Sequence, residues 1–293
     1  MFQNALICTD FSDGLYRLVE FVPSLAAGGI KQITFFHNVP IQKEREIPRI
    51  DQDNIELSRD RLSAALKNPP SGVKVNVEAD CGLPIDNILK LAQTYKVEII
   101  FLGMPTRTLL TEKLFGSTTM ELTQRTPIPL LILRPQLISA YTTEELDLRC
   151  RHIFRYLLIP YDGSKSADYL VEQIKQRVQT QPDCNLEKCL LCWIIDEGIR
   201  KELQPVDPLG EAQAKLDAAK AALSELNLEV KTEIKQGAPI EALLEAAEIH
   251  DISAISVSSG STSGLIKWSI PSLTSNILRR SWHPVMYFPP KQS

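Results

Sequence analysis

The chain has 293 residues, about twice the usual size of a single domain, so two hydrophobic cores are expected. Hydrophobic residues make up 44% of it and charged residues 23%, as in typical globular proteins, and the formal net charge of -4 argues against a dedicated nucleic-acid or membrane surface. No apolar stretch reaches the roughly 18 to 20 residues that span a bilayer, and the N-terminus lacks a secretory signal pattern, so we expect a cytoplasmic protein with mostly reduced cysteines.

The first half alternates between predicted strands and predicted helices. Residues 5–9 form a continuous apolar strand, Ser12 or Asp13 can cap a helix that runs to about residue 27, and residues 32–39 form a second strand. The remaining predicted elements, in chain order, are a polar helix at 53–67, an alternating strand at 73–78, a helix at 84–95, a buried strand at 97–102, a helix at 117–124 and a strand at 130–134.

The second half repeats this order at a nearly constant offset. From Gly82 onward the offset is 155 residues, which aligns Gly82 with Gly237, and no gap is needed to the end. Near the front the offset is 152, which aligns Asp10 with Asp162. The corresponding elements lie at 156–161, 166–178, 187–195, 211–226, 228–234, 239–250, 252–258, 272–280 and 285–288. This self-similarity indicates two copies of one domain.

Strands separated by helices of this length predict right-handed crossovers and a mainly parallel sheet with helices on both faces. The predicted fold class is therefore α/β, with two tandem doubly wound, Rossmann-like domains, each built on a five-stranded sheet. We assign residues 1–137 to the first domain, 138–150 to a linker without strand alternation, and 151–293 to the second domain. Within the linker, residues 143–149 could form a short helix.

Two loops of the first half follow strands at the edge where doubly wound sheets bind ligands. Residues 8–13 follow the first strand, and the second loop, after the fourth strand, reads Gly103-x2-Thr106-x9-Gly116-Ser117. Glycines let the backbone approach a phosphate, and the groups at the start of a helix face an anion, with a dipole contribution of about 0.3 to 1 kcal/mol. The pattern predicts an anion site in the first half.

This loop resembles that of the ATP-binding universal stress proteins, in which G-x2-G-x9-G-[ST] follows the fourth strand. Three of the four positions match with every spacing preserved, and the resemblance to a tandem universal stress protein, of adenine-nucleotide α-hydrolase-like fold, covers nearly the whole chain. It implies ATP, AMP or ADP as the ligand, with or without Mg2+, and no catalytic residues. It also implies that Asp10 holds the ribose or a metal, that Val39 contacts adenine through its backbone, and that Gly103, Gly116, Ser117, Thr118 and Thr119 surround the phosphates, with Thr106 at the remaining motif position.

Thr106 departs from the family pattern. If the family glycine has a positive φ, a β-branched residue costs on the order of 1 to 2 kcal/mol there, and nucleotide binding would be weakened or lost. A structural interpretation also stays open, in which Gly103 ends a strand, Gly116 precedes a helix and Ser117 caps that helix.

The second half departs further, although its residues 161–164 match the family better after the first strand. The aligned motif positions are Ser258, Ser261, Pro271 and Ser272, so no family glycine remains. Pro271 has no amide to offer a phosphate. We expect this copy to serve as a structural or interaction partner.

Metal and catalytic signals are weak. Cys184, Cys189 and Cys192 match part of an iron–sulfur spacing, but residues three apart on a strand point to opposite faces and no fourth cysteine follows, so buried thiols are the preferred interpretation. The histidines at 37, 152, 250 and 283 have no partner spacing, and no metal site is expected.

The leading functional hypothesis is a nucleotide-responsive stress regulator, and the alternative is an interaction protein of the same fold that binds no nucleotide. An adenylating enzyme ranks last because the S-G-G-x-D loop of such enzymes is missing after both first strands. The resemblance also implies that the two copies pair through their last strands as an intramolecular pseudo-dimer. Further homodimerisation and the protein partner stay open.

Overall fold

The computed structural model describes residues 1–41, 51–104, 117–181, 184–198, 206–258 and 273–290. The chain divides into two compact units, Phe2–Arg151 and His152–Ser293. In each unit strands alternate with helices, which confirms the predicted α/β class.

The described residues of the first unit contain five strands and the helices that connect them. In chain order they are β1 (Asn4–Cys8), a 3-10 helix (Leu15–Glu20), α1 (Val22–Ala27), β2 (Gln32–Val39), α2 (Gln52–Leu62) with a 3-10 turn (Ser63–Leu66), β3 (Lys74–Cys81), α3 (Pro84–Thr94), β4 (Ile99–Gly103), α4 (Ser117–Arg125), β5 (Leu130–Leu133), α5 (Pro135–Ala140) and α6 (Thr143–Arg151).

The sheet of this unit has the order β3-β2-β1-β4-β5, and its paired strands are parallel. Leu6 of β1 pairs with Thr34 of β2 on one side and with Ile100 of β4 on the other. The strand order reverses between β1 and β4, so this is the topological switch point. The central strands are buried along almost their whole length, as expected for strands covered by helices on both faces.

The predicted helix from residue 12 or 13 to 27 is wrong in its extent. Gly14, with φ of 74°, precedes the 3-10 helix, and Phe21 separates that helix from α1. Pro23 lies in the first turn of α1, where its missing N–H is tolerated. In one continuous helix it would remove a hydrogen bond and clash with the preceding turn, so the chain starts a new helix instead.

The segment between the predicted domains is helical and packs on the first unit. Arg17 donates hydrogen bonds to the carbonyl oxygens of Ile138 and Tyr141, and the Ser24 hydroxyl donates to Asp147 of α6. The short helix allowed at residues 143–149 is confirmed as part of α6. The boundary between the compact units follows α6.

The second unit repeats the architecture. Its described elements are β6 (Tyr156–Pro160), α7 (Lys165–Thr180), β7 (Lys188–Asp196), α8 (Pro208–Ser224), β8 (Glu229–Gly237), α9 (Pro239–Ile249), β9 (Ala254–Ser258), α10 (Leu273–Arg280) and β10 (Val285–Phe288). The strand order β8-β7-β6-β9-β10 is that of the first unit, and the paired strands are again parallel. The predicted duplication is therefore present in the fold.

Candidate functional site

The strand-end residues of the predicted site lie at neighbouring strand ends of the first unit. Asp10 is in the loop after β1, Val39 is the last residue of β2, and Gly103 is the last residue of β4. Because β1 lies between β2 and β4 in a parallel arrangement, the three carboxyl ends share one edge of the sheet. They flank the switch point, where ligands bind in doubly wound folds.

The phosphate side of the predicted site is described only in part. Ser117 begins α4, and Thr118 and Thr119 follow in its first turn, with Thr118 half-buried and Thr119 buried. Thr106, Gly116 and the side chain of Ser117 lie outside the described residues. On this side the structure therefore contributes the N-terminus of a helix, whose free backbone N–H groups carry partial positive charge.

The loop after β1 is closed by hydrogen bonds within itself. Oδ1 of the exposed Asp10 accepts from the backbone N–H and the hydroxyl of Ser12, both at 2.8 Å. The backbone N–H of Phe11 donates to Oγ1 of Thr9 at 3.0 Å, and Phe11 has φ of 65°, in the region that favours glycine. Among the described residues, none is shown to bond the other carboxylate oxygen of Asp10.

The buried carboxylate of Asp13 accepts hydrogen bonds from this loop. Its Oδ1 accepts from the Thr9 hydroxyl at 2.7 Å and from the backbone N–H of Leu15 at 2.9 Å, and its Oδ2 accepts from the backbone N–H of Asp10 at 3.3 Å. The residue is only 5% exposed. The pKa of Asp13 is raised to about 6, chiefly by burial and to a lesser degree by the Asp10 charge, while the hydrogen bonds partly oppose this shift.

Asp13 also explains why residue 103 is a glycine. A Cβ built on Gly103 would lie 2.5 Å from the Cβ of Asp13 and 2.8 Å from its Oδ2, closer than such atoms approach. The carboxylate thus joins the loop after β1 to the end of β4. Sequence reasoning identified Asp13 only as a possible helix cap, because its contact with Gly103 spans ninety positions of the chain.

The other end of the site is fixed by two asparagines that sequence reasoning missed. The side-chain amide of Asn38 donates to the carbonyl oxygens of Gly82 at 3.1 Å and Val39 at 3.3 Å. Asn87 of α3 donates to Oδ1 of Asn38 at 2.8 Å. These bonds tie the carboxyl end of β2 to the end of β3, and they hold the Val39 backbone in place.

The side chain of Val39 is part of the core. It is 4% exposed and packs with Ile55 of α2 and Ala79 of β3. The side chain of Val39 therefore faces Ile55 and Ala79, and the backbone contact with adenine that the resemblance implies stays a prediction.

His37 supports the same edge from β2. Its Nδ1 lies 2.8 Å from the carbonyl oxygen of Thr9, and since a carbonyl only accepts, Nδ1 carries the proton. Burial lowers the pKa of His37. The ring lies 4.3 Å from that of Phe11, so His37 contributes a hydrogen bond and a ring contact to this edge.

The equivalent edge of the second unit is built differently. Oδ1 of Asp162 accepts from the backbone N–H of Ser164 at 2.9 Å, as Asp10 does in the first unit, and Ser164 caps α7 by accepting from Ala167. Gly163 has φ of 66°, the conformation that Phe11 adopts in the first unit. The counterpart of Asp13 is the exposed Lys165, so the second loop has no buried carboxylate.

At the end of β9, Ser258 replaces the glycine. Its hydroxyl donates to the carbonyl oxygen of Phe288 at 2.9 Å, and its own carbonyl accepts from Thr274 at 3.1 Å. Ser261, Pro271 and Ser272 lie outside the described residues. In the described part of this edge, the end of β9 is thus hydrogen-bonded to β10 and to α10.

Comparison with known families decides the classification. The model of the universal stress protein family matches the chain twice, at residues 1–134 and 154–289. The chain belongs to the universal stress protein family. The two matches correspond to the two repeats found in the sequence, so the protein is a tandem universal stress protein. Among curated proteins, none matches this sequence.

Solved structures share the fold of this universal stress protein. One from Archaeoglobus fulgidus, itself a universal stress protein, aligns with a TM-score of 0.67 at 20% identity, over 97% of this chain and 98% of the other. A protein from Pseudomonas aeruginosa aligns with a TM-score of 0.58 at 12% identity, over 98% of this chain and 93% of the other. At these identities the likeness shows the fold alone.

All six cysteines are free thiols, and burial raises the pKa of Cys189 and Cys192 to about 12 on β7. Across the part of the chain that the structure describes, no three His, Cys, Asp or Glu side chains gather closely enough to hold a metal ion. Within the same residues, no helix is both long and apolar enough to cross a membrane.

Proposed function

We propose that this universal stress protein is a regulator that binds one adenine nucleotide in its first unit. The observation that carries the proposal is the meeting of Asp10, Val39 and Gly103 at one edge of the sheet, beside the switch point. These are residues to which the family resemblance assigns nucleotide contacts. The shared edge of these three strand ends supports the proposal.

The geometry supports a division of roles within that site. The backbone of Val39, whose carbonyl accepts a hydrogen bond from Asn38, suits the edge of an adenine base. The carboxylate of Asp10, through the oxygen that does not bond Ser12, suits a ribose hydroxyl or a Mg2+ ion that accompanies a triphosphate. The first turn of α4, with Thr118 and Thr119, suits the phosphates.

The proposal assigns no nucleotide to the second unit. There Ser258 takes the place of the strand-end glycine, and Pro271 replaces the glycine that precedes the helix. This unit would serve as the structural partner of the first. The proposed action is regulatory rather than enzymatic, and we propose, from the family resemblance, that it takes place in the cytoplasm.

One observation favours the alternative function, an interaction protein that binds no nucleotide. The carboxylate of Asp13 is buried against Gly103, and a negative charge near the proposed phosphate side opposes anion binding. Thr106 adds a second obstacle that sequence reasoning predicted. Both obstacles can be tested by single substitutions.

The experiment is a calorimetric titration of nucleotide-free protein with ATP and Mg2+. Gly116→Asp places a carboxylate at the predicted phosphate site, and we expect affinity to fall about 100-fold or more. The matched control is Pro271→Asp, the same change at the equivalent position of the second unit, which should leave affinity unchanged. Equal affinities in all three proteins would remove the site assignment.

Thr106→Gly sharpens the same test. If the threonine is the obstacle, restoring the family glycine should tighten ATP binding by about tenfold, the equivalent of roughly 1.4 kcal/mol. An unchanged affinity would mean that Thr106 does not hinder ATP binding, either because its loop already accepts the nucleotide or because the loop does not contact it.

We also propose, from the sequence and the family resemblance, that the two copies pair within one chain through their last strands. The physical reason is that an unpaired apolar edge strand is an aggregation hazard, and that the covalent connection raises the effective concentration of one copy near the other. Ile132→Pro removes a ladder donor in the first of these strands. It should lower the melting temperature and expand the molecule in small-angle scattering, and an unchanged scattering curve would contradict the pairing.

A further inference from the structure

One helix in each unit brings a cation over the loop that follows the first strand. In the first unit, the guanidinium of Arg61 on α2 lies 3.9 Å from the centre of the Phe11 ring. In the second unit, Lys215 on α8 covers Gly163, the repeat counterpart of Phe11: a Cβ built on Gly163 would lie 2.5 Å from Cδ of Lys215. Arg61 and Lys215 therefore occupy equivalent places.

The two cations differ in what satisfies their charge. Lys215 pairs with Glu211, four residues earlier on the same helix, at 2.8 Å. Four residues before Arg61 stands Leu57, whose side chain is 58% exposed. Among the residues that the structure describes, no ion pair includes Arg61.

A second residue near the cation also differs between the two units. Tyr16 is 40% exposed, and its ring centre lies 6.0 Å from the Arg61 guanidinium. Its repeat counterpart is Asp168, which accepts a hydrogen bond from the Tyr161 hydroxyl at 2.7 Å. At equivalent positions the second unit thus has carboxylates with internal partners, whereas the first has exposed apolar and aromatic side chains. We name Leu57, Arg61, Tyr16 and Phe11 the α2 surface.

The α2 surface has the composition of a binding surface. A guanidinium stacked on an aromatic ring is held in one orientation, and its N–H edge remains free for a bidentate bond to a carboxylate. Arginine and tyrosine beside an apolar side chain are enriched among the residues that dominate protein–protein affinity. Stacking on Phe11 also reduces the rotamer freedom that Arg61 would lose on binding.

We propose that the α2 surface docks a protein partner through a segment in which a carboxylate lies next to an apolar side chain. In the second unit, Glu211 forms an ion pair with Lys215 within the chain. In the first unit, a carboxylate of the partner takes the place of Glu211 and forms the ion pair with Arg61. The apolar side chain of the partner covers Leu57 and Tyr16. None of the four side chains of the α2 surface is assigned a nucleotide contact, although Phe11 follows Asp10 in the same loop; peptide binding is therefore measured on nucleotide-free protein, so that the two proposals can fail separately.

The test is a selection of displayed random linear peptides on the full chain, followed by anisotropy titrations with the selected peptides. We expect the selected peptides to be enriched in Asp or Glu beside Leu or Phe. Arg61→Glu should lose these peptides and select peptides with Lys or Arg in their place. A merely structural role of Arg61 would not reverse the charge preference.

Leu57→Glu is the decisive variant. It recreates the spacing of the Glu211–Lys215 pair, which the second unit already tolerates, so the protein should fold and Arg61 should be satisfied internally. We expect peptide affinity to fall about tenfold or more. The control is Leu148→Glu on α6, an equally exposed leucine of the same unit at 55%, which should bind the peptides as the unaltered chain does.

Three results would overturn the proposal. The first is a selection without acidic–apolar enrichment, and the second is equal peptide affinity in Leu57→Glu and Leu148→Glu. The third is a homodimer of the unaltered chain that Leu57→Glu dissociates, because the occupant would then be a second copy of this protein. Melting curves of each variant show that a loss of peptide binding is not a loss of folding.

Discussion

The ends of β4 and β9 are equivalent in the repeat, but different side chains contact them. In the first unit Gly103 leaves room for the buried carboxylate of Asp13, which also bonds the loop after β1. In the second unit Ser258 fills this position and bonds the neighbouring strand through its hydroxyl, and the counterpart of Asp13 is the exposed Lys165. The first unit has a buried carboxylate against the end of β4, whereas the end of β9 is bonded by a neutral serine hydroxyl.

Two copies of a domain can therefore share one strand order and still differ in the groups at the carboxyl ends of their strands. The apolar strands of both units repeat because burial between two helical layers tolerates few alternatives. The loops at the carboxyl ends contribute little to the core, so they can vary between copies.

The largest expected effect concerns the charge of Asp13. Its pKa is raised to about 6 in the folded state from 3.8, so its contribution to stability is fully present below about pH 4 and is lost as the pH rises through 6. Relative to Asp13→Asn, which does not titrate, the unaltered protein should lose about 3 kcal/mol of unfolding free energy between pH 3 and pH 8. Denaturant titrations of both proteins at several pH values measure this. A constant difference across the range would contradict a buried, strained carboxylate.

A smaller effect is expected at the strand ends themselves. Gly103→Ala forces a Cβ to within 2.5 Å of the Asp13 side chain and should destabilise the protein by about 2 kcal/mol through overpacking. The matched change, Ser258→Ala, removes one hydrogen bond and should cost about 1 kcal/mol. Urea unfolding of the two variants makes the comparison. If the serine variant proves the less stable of the two, the packing of Asp13 on Gly103 is not the constraint we describe.

The smallest effect concerns the central strands. Ser256 of β9 is fully buried, and the described residues give its hydroxyl no hydrogen-bond partner, whereas its repeat counterpart on β4 is the core residue Phe101. Because an unpaired buried hydroxyl is unfavourable, Ser256→Ala should leave stability unchanged or raise it by up to about 1 kcal/mol. A clear loss of stability on thermal unfolding would mean that the hydroxyl has a role in the fold.

Most of the strands could be predicted from the sequence, because short continuous apolar runs are typical of strands buried between two layers of helices. The predicted strand at 32–39 coincides with β2, and the predicted strand at 285–288 coincides with β10. The long helix before β2 was wrong because local propensity did not reveal the break that Gly14 and Pro23 impose.

The supports of the candidate site could not be predicted in the same way. The bond between Asn38 and Asn87 joins residues 49 positions apart, and Asp13 meets Gly103 only because β1 and β4 are neighbours in the sheet. Such contacts have no periodic signature in a sequence, since they depend on which strand ends the topology brings together. The internal repeat did indicate which positions to compare once the fold was known.

We propose that one unit of the tandem binds an adenine nucleotide and that the other does not. Equilibrium dialysis of the nucleotide-free chain against labelled ATP with Mg2+ measures the stoichiometry directly. We expect saturation at one nucleotide per chain, abolished by Gly116→Asp and retained in Pro271→Asp. Saturation at two nucleotides per chain, or no binding at millimolar ATP, would contradict it.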